Sequence, residues 1–123
     1  MPPRDLQERT RLFAIAVVKF CRQLPKTDEA QEEARQLRRA ATSMRRNYRA
    51  ARRGRSYAEF TANLGTVFEE ADECVDCLES LRDVDIKNDA ALIQEARELA
   101  KIFARSVSTA RSNMRRRDDL PKS

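Results

Sequence analysis

The segment Gln36–Ser56 reads QLRRAATSMRRNYRAARRGRS and carries the pattern that decides the fold. Nine arginines lie in the 21 residues from Arg35 to Arg55. Between them, apolar residues recur every three or four positions, at Ala34, Leu37, Ala41, Met44, Tyr48 and Ala51. This spacing is typical of one face of an α-helix. One helix therefore carries both a stripe that faces a core and a dense cationic surface.

The composition indicates long helices in one domain. The chain has 123 residues, and we expect a single domain spanning 1–123. Only two residues are glycine, and 37% are charged and interspersed with apolar ones. The net charge of +5 favours an anionic partner. The most apolar run, Leu12–Cys21, is too short to span a bilayer, and no signal peptide is visible, which predicts a cytoplasmic protein without a membrane contact.

Start and stop signals divide the chain into four helices. The predicted helices span about 5–23, 28–53, 56–82 and 89–116, and a flexible tail follows at 118–123. Asp5 is expected to cap the first helix and Gly54 to end the second. Ser56 with Glu59 three residues later predicts a capping box. Short connections between long amphipathic helices predict an all-α, up-down antiparallel four-helix bundle.

Two surfaces exceed what a single bundle buries. The first helix has apolar residues outside its core stripe, and the second has a strip of small or short polar residues beside its arginines. We predict that both form an oligomer interface, at Leu12, Ile15, Val18, Ala40, Ser43 and Asn47. The alternatives are a slightly apolar exposed helix and a solvated strip.

The chain also resembles a known family. The motifs DLQERTRLFA, LPK, QLRRAATSMRRNYRAA, EEADE and CLE resemble those of four-helix-bundle proteins encoded in intervening sequences of 23S rRNA genes. The matching residues are Asp5, Leu6, Arg9, Thr10, Phe13, Ala14, Leu24, Pro25, Gln36, Leu37, Arg39, Ala40, Ser43, Asn47, Tyr48, Ser56, Glu59, Phe60, Glu70, Ala71, Glu73 and Leu78. The chain departs from the pattern at Ala50, where glutamate is usual, and at Asp76-Cys77, which replace an aromatic pair.

That family is similar in fold to the accessory variability proteins of diversity-generating retroelements. Those are basic bundles that assemble as pentameric barrels, bind nucleic acid and partner a reverse transcriptase. The resemblance therefore implies a cyclic homo-oligomer, a pentamer, with RNA or DNA and a reverse transcriptase as partners.

The sequence offers little for catalysis. It has no histidine, the commonest general base and metal ligand. Cys74 and Cys77 form its one CxxC pair, and they lie within a predicted helix among acids, so we interpret them as core residues and not as a zinc or redox site. There is no glycine-rich phosphate loop. We expect a protein that is not an enzyme and needs no cofactor or metal.

The arginines support two interpretations. In the first, they bind phosphates of RNA or DNA without strong sequence specificity, because Tyr48 and Tyr57 belong to core stripes and leave few rings for base stacking. Such a protein would serve as an adapter, accessory to a reverse transcriptase or associated with rRNA. The predicted binding residues are Arg38, Arg39, Arg45, Arg46, Arg49, Arg52, Arg53, Arg55, Arg115, Arg116 and Arg117. In the second, the protein is a scaffold whose arginines pair with acids of neighbouring subunits or of a protein partner.

Overall fold

A computed structural model describes residues 3–118, with side chains from residue 6 onward, and shows four helices and no strand in that range. The helices are α1 (Pro3–Arg22), α2 (Asp28–Arg52), α3 (Tyr57–Asp83) and α4 (Ala90–Asp118). Each helix end lies within two residues of its predicted position. The sequence predicted that Asp5 caps α1. In the structure, Asp5 lies inside the first turn of that helix. The predicted tail begins at Asp118, which is helical, and its other residues lie outside the described range.

Side-chain caps begin three of the helices. Thr27, Ser56 and Asp89 each accept a hydrogen bond from the backbone N–H three residues further on, at 3.3, 3.1 and 3.0 Å. Each bond satisfies an N–H group that the first turn of a helix leaves without a partner. The Ser56 half of the predicted capping box is therefore confirmed, and local sequence explains where the helices begin.

Gly54 shapes the turn between α2 and α3 for a reason other than the one expected. Its φ is not positive, so it does not form a left-handed cap. A Cβ at this position would lie 3.2 Å from the Ala51 carbonyl oxygen and 3.3 Å from the Phe60 amide nitrogen. Glycine therefore lets the turn fold closely between the end of α2 and the first turns of α3.

Consecutive helices run in opposite directions. The Arg52 guanidinium, near the end of α2, donates to the side-chain oxygen of Gln7 in α1 at 2.9 Å. The Asn113 amide, near the end of α4, donates to the hydroxyl of Tyr57 at the start of α3, at 3.1 Å. The start of α1, the α2–α3 turn and the end of α4 thus meet at one end of the bundle. α2 and α3 pack most extensively, and α1 contacts α4 only lightly.

One core runs through the bundle. The predicted stripe of α2 is at most 5% exposed, and Phe103 of α4 is fully buried with its ring centroid 5.3 Å from that of Tyr48. Ala40 is also fully buried, so its predicted place in an oligomer interface is wrong. The reason is that α2 packs on both α1 and α3, which widens its buried arc beyond one stripe. None of the described helices is long and apolar enough to cross a membrane.

Candidate nucleic-acid interface

The antiparallel order gathers arginines at one end of the bundle. This basic pole comprises residues 45–68 and 105–118, which carry eleven arginines and two carboxylates. The two segments contact each other through the Tyr57–Asn113 hydrogen bond, so their charges form one surface. The sequence lists these arginines in two distant groups, and only the packing of α2, α3 and α4 joins them.

Carboxylates gather at the other end. This acidic pole comprises residues 28–35 and 69–98, with fifteen carboxylates and four basic residues. Three of its arginines are in ion pairs within the chain: Arg35 with Glu32, Arg82 with Asp83 and Arg97 with Glu79. Every arginine of the acidic pole is therefore paired with a carboxylate, and its remaining basic residue, Lys87, lies over the ring of Phe20.

The arginines of the basic pole lack such partners. Among the described residues, none of the eleven is in an ion pair, and all eleven are exposed. Three of them contact neutral groups instead: Arg52 donates to Gln7, Arg116 donates to Asn113, and the Arg117 guanidinium lies 4.2 Å from the centroid of the Tyr57 ring. Such contacts orient the side chains and leave their charges uncompensated.

Two predicted binding residues lie nearer the middle of α2. Arg39 is 67% exposed and forms a 3.4 Å ion pair with Glu73 of α3. Arg38 is half-buried beside Cys21, where its charge opposes the rise that burial causes in the pKa of that thiol. Both side chains are therefore partly committed within the chain, unlike those of the basic pole.

Two glutamates, Glu8 and Glu73, place negative charge near the arginines of α2. The hydrogen bond from Arg11, aided by the charges of Arg11 and Arg45, lowers the pKa of the Glu8 carboxyl, so Arg45 has an acid in its vicinity. Burial, followed by the charge of Glu70, raises the pKa of Glu73. Arg46 and Arg49 have no carboxylate partner among the described residues and are the most available arginines of α2.

The predicted interface residues divide between two places. Leu12 on α1 is 51% exposed, and Ile15 and Val18 are half-buried. Ser43 and Asn47 are half-buried and bonded to each other, since the Asn47 amide donates to the Ser43 carbonyl at 2.9 Å and hydroxyl at 3.0 Å. A shallow groove of about 530 Å³ collects part of this set with arginines of α2: Val18, Arg35, Arg38, Arg39, Thr42, Ser43, Arg46 and Asn47.

A larger cleft of about 850 Å³ opens at the basic pole. Its residues come from all four helices and the α2–α3 turn: Leu6, Tyr48, Ala51, Arg52, Gly54, Arg55, Ser56, Tyr57, Phe60, Leu64, Arg105, Ser106, Thr109, Ala110 and Arg117. Tyr57 and Phe60 are half-buried with ring centroids 5.6 Å apart. The sequence placed Tyr57 on a core stripe, whereas the structure exposes part of it to this cleft.

Sequence reasoning missed two arginines of the basic pole. Arg105 lines the cleft, and the Arg111 guanidinium reaches across to α3, where it would lie 3.4 Å from a Cβ added at Gly65. Arg105 lies outside the dense arginine runs of the sequence, and Arg111 begins the basic stretch 111–117 but was not among the predicted binding residues. The signal that finds them is the antiparallel order itself, because it places the second half of α4 at the same end of the bundle as the end of α2.

The cysteines behave as core residues in the structure. Cys21, Cys74 and Cys77 are free and buried. Burial, followed by the charge of Glu33, raises the pKa of Cys77 to about 12, and burial raises that of Cys74 further. No cluster of metal-ligating side chains occurs among the described residues.

The fold and the family have known counterparts. A crystal structure from Bacteroides thetaiotaomicron, of a protein with unknown function from the S23 ribosomal protein family, superposes with a TM-score of 0.79 at 22% identity. The superposition covers 88% of this chain and 99% of that one, which shows a shared fold. Among proteins of curated function, none matches significantly. The family model of 23S rRNA-intervening sequence proteins matches residues 5–108, and the chain therefore belongs to that family.

Proposed function

We propose that this chain is a non-enzymatic cytoplasmic protein that binds the backbone of RNA or DNA through its basic pole. The observation that supports it most is the absence of ion pairs at the eleven arginines of that pole within the described residues. Clustered like charges repel one another and destabilise a fold, so an external polyanion is the natural counter-charge. Binding of this kind neutralises phosphates and releases counterions.

The chemistry of the pole favours backbone contacts over base readout. Guanidinium groups match phosphate oxygens in a bidentate geometry. The arginines of α2 project from one rigid helix, and those of α4 flank the same end of the bundle. Phosphate contacts position a protein on nucleic acid and carry no sequence information by themselves. We therefore expect weak discrimination between sequences.

The proposal includes assembly into a cyclic homo-oligomer, a pentamer. Its support in this chain is the apolar outer face of α1, where Leu12 is 51% exposed and Ile15 and Val18 are half-buried. A ring would present five basic poles to one strand and bind by avidity. The resemblance to retroelement accessory proteins extends the proposal to a reverse transcriptase as partner. Membership of a family named for 23S rRNA supports RNA over DNA as the proposed ligand.

Mobility shifts test the binding directly. Labelled single-stranded RNA and double-stranded DNA are titrated with protein at 50, 100 and 200 mM salt. If about five phosphates are contacted, log K falls against log salt with a slope of roughly −3.5 for a single strand. The absence of a shift for both probes at 50 mM salt refutes the proposal.

Light scattering tests the assembly. A pentamer of 14.2 kDa chains has a mass of 71 kDa. We expect Leu12→Asp to lower the measured mass, because a charge would be placed in an apolar contact. Val84→Asp is the matched control, since Val84 is the other large hydrophobic residue that is exposed within residues 6–118, at 62%, and it lies outside α1. A wild-type mass of one chain refutes the oligomer.

The two poles also support a second candidate function, a scaffold. The acidic pole carries an excess of eleven negative charges and the basic pole an excess of nine positive ones, so contact between the unlike poles of two subunits would neutralise both. In that case, salt above the physiological range dissociates the oligomer. Variants with arginines of the basic pole changed to Gln are then expected to have a lower mass in light scattering. If instead those variants keep the wild-type mass and lose nucleic acid, the scaffold function is excluded.

A further inference from the structure

The cleft at the basic pole has the size and the lining of a small-ligand site. Its volume of about 850 Å³ lies within the range of roughly 300–1,000 Å³ that is usual for such sites. Apolar side chains from all four helices contribute to its lining, with Leu6, Leu64 and Ala110 among them. The cleft is a concave part of the basic pole, bounded by all four helices, whereas backbone binding was proposed for the pole as a whole.

The charge of the cleft is of one sign. Arg52, Arg55, Arg105 and Arg117 line it, and none of its lining residues within 6–118 is a carboxylate. None of the four is in an ion pair with a described residue, and the side chains of Arg55 and Arg105 have no hydrogen-bond partner within residues 6–118. These four arginines favour a ligand that carries negative charge.

Aromatic rings occupy the same cleft. Arg117 covers the Tyr57 ring at 4.2 Å, and Asn113 donates to the Tyr57 hydroxyl, so that ring is held from two sides. Phe60 lies beside it with its centroid 5.6 Å away and the two ring planes tilted by 44°. Because Phe60 is half-buried and lines the cleft, part of its ring is open to a flat ligand group.

We infer that this cleft binds one nucleoside monophosphate unit. Its base packs on the rings of Phe60 and Tyr57, and its phosphate is held by Arg105 with Arg55. Bases stack on aromatic side chains whatever their identity, and guanidinium groups pair with phosphate. The unit is either a free nucleotide or the phosphorylated end of a strand, and the two present the same chemistry. The inference goes beyond backbone binding and does not depend on it.

The chain contains its own reporters for a binding test. It has two tyrosines and no tryptophan, and both tyrosines line the cleft. Tyrosine ring resonances in NMR spectra therefore report on this site. The full chain is titrated separately with AMP, adenosine and inorganic phosphate. We expect AMP to shift the ring signals and to bind at least tenfold more tightly than either of its parts. AMP binding no tighter than inorganic phosphate overturns the inference.

Substitutions in the cleft locate the site. Arg105→Gln is expected to weaken AMP binding tenfold or more, because it removes a phosphate contact. Arg97→Gln is the matched control, since it lies on the same helix at the acidic pole. Equal AMP affinity of the two variants overturns the inference. Circular dichroism checks that both remain folded.

A second substitution tests the aromatic wall and does not depend on charge. Phe60→Leu keeps an apolar side chain of similar size, and it is expected to weaken AMP binding about fivefold to a hundredfold, the usual contribution of one base–aromatic stack. Its affinity for inorganic phosphate is expected to stay unchanged. Equal affinity of this variant and the wild-type chain for AMP contradicts the proposed place of the base.

Competition separates the two sources of the ligand. A short single strand with a 5′ phosphate that displaces AMP, while the same strand without the phosphate does not, identifies the strand end. Failure of both strands to displace AMP assigns the cleft to free nucleotides. A triple variant with Arg46, Arg49 and Arg53 changed to Gln is expected to bind AMP normally, so failure of backbone binding and failure of this inference are told apart.

Discussion

The two poles of the bundle share one core and use their charges differently. At the acidic pole, Arg35, Arg82 and Arg97 each contact a carboxylate of the same chain. At the basic pole, none of the eleven arginines forms an ion pair with another residue in the described range 6–118. Each arginine of the acidic pole thus has a carboxylate partner, whereas Glu59 and Asp118 of the basic pole form no ion pair with its arginines. The arginines of the basic pole therefore lack a counter-charge among the described residues, and the proposed polyanion would supply one.

The substitution with the largest expected effect tests whether the two poles share one core and unfold together. Phe103→Ala removes a fully buried ring beneath the basic pole and is expected to lower the free energy of unfolding by about 3–5 kcal/mol. Tyrosine fluorescence reports on the basic pole, and labelling of Cys77 reports on the acidic pole. Both signals should shift together in a denaturant titration. Phe68→Ala, at a half-buried position, is the control with a smaller loss. If only the tyrosine fluorescence shifted, the two poles would unfold independently and would not share one core.

Cys77 reports on the acidic pole from inside. Its pKa of about 12 leaves about one thiol in ten thousand ionised at pH 8, against roughly a tenth in the unfolded chain. Alkylation by iodoacetamide at pH 8 is therefore expected to be about a thousandfold slower in the folded protein. Mass spectrometry of the labelled chain measures it, and the denatured chain is the control. Rapid alkylation of Cys77 in the folded protein would contradict its burial in the core.

The same pKa predicts how stability depends on pH. A group whose pKa is raised by folding stabilises the folded state fully below its unfolded pKa, and this contribution is lost as pH rises toward the folded value. For Cys77 we expect the free energy of unfolding to fall between about pH 9 and pH 12. Cys77→Ala should show a shallower fall in denaturant titrations. An equal fall in both proteins would assign the effect to other groups.

A charge-matched pair of triple variants sharpens the comparison further. Changing Arg46, Arg49 and Arg53 to Gln removes three charges from the basic pole, and changing Arg35, Arg82 and Arg97 removes three from the acidic pole. We expect the first to weaken RNA binding tenfold or more and to reduce the salt slope by about 2, because phosphate contacts are lost. The second should leave the slope unchanged. Equal effects on RNA binding would mean that net charge alone matters.

The smallest effect concerns stability, and its sign differs between the poles. Arg97→Gln removes the Glu79 ion pair and is expected to destabilise the protein by about 0.2–1 kcal/mol. Arg46→Gln relieves repulsion among unpaired arginines and should leave stability equal or raise it by a few tenths of a kcal/mol. Urea denaturation at low salt measures both. A loss of stability on neutralising Arg46 would reveal a carboxylate partner that the described residues do not show.

Sequence periodicity predicted the helices well, because their signals are local. The α2 stripe, the Ser56 cap and the turn at Gly54 each depend on neighbours a few residues away. Ala40 was misplaced because the width of a buried arc depends on how many helices pack against it. The periodicity of one helix does not show how many other helices pack against it.

The cleft was beyond sequence reasoning for a related cause. Arg105 stands outside the arginine runs, and Tyr57 and Phe60 look like core residues in their helix. Their convergence depends on the rotation of α3 and α4 about their axes, which side-chain packing decides. The arginines of α2 were recognised as a surface, and the structure adds that they share it with the end of α4.

The separation of charge along the bundle makes the molecule a large electric dipole. α3 alone is 27 residues, so the poles lie at opposite ends of a body about 40 Å long. Near any polyanion, the field turns such a body before contact, so that its arginine end arrives first. The outward end of a docked molecule is then negative and repels further nucleic acid. Each bound copy would therefore cap its site and would not bridge two strands.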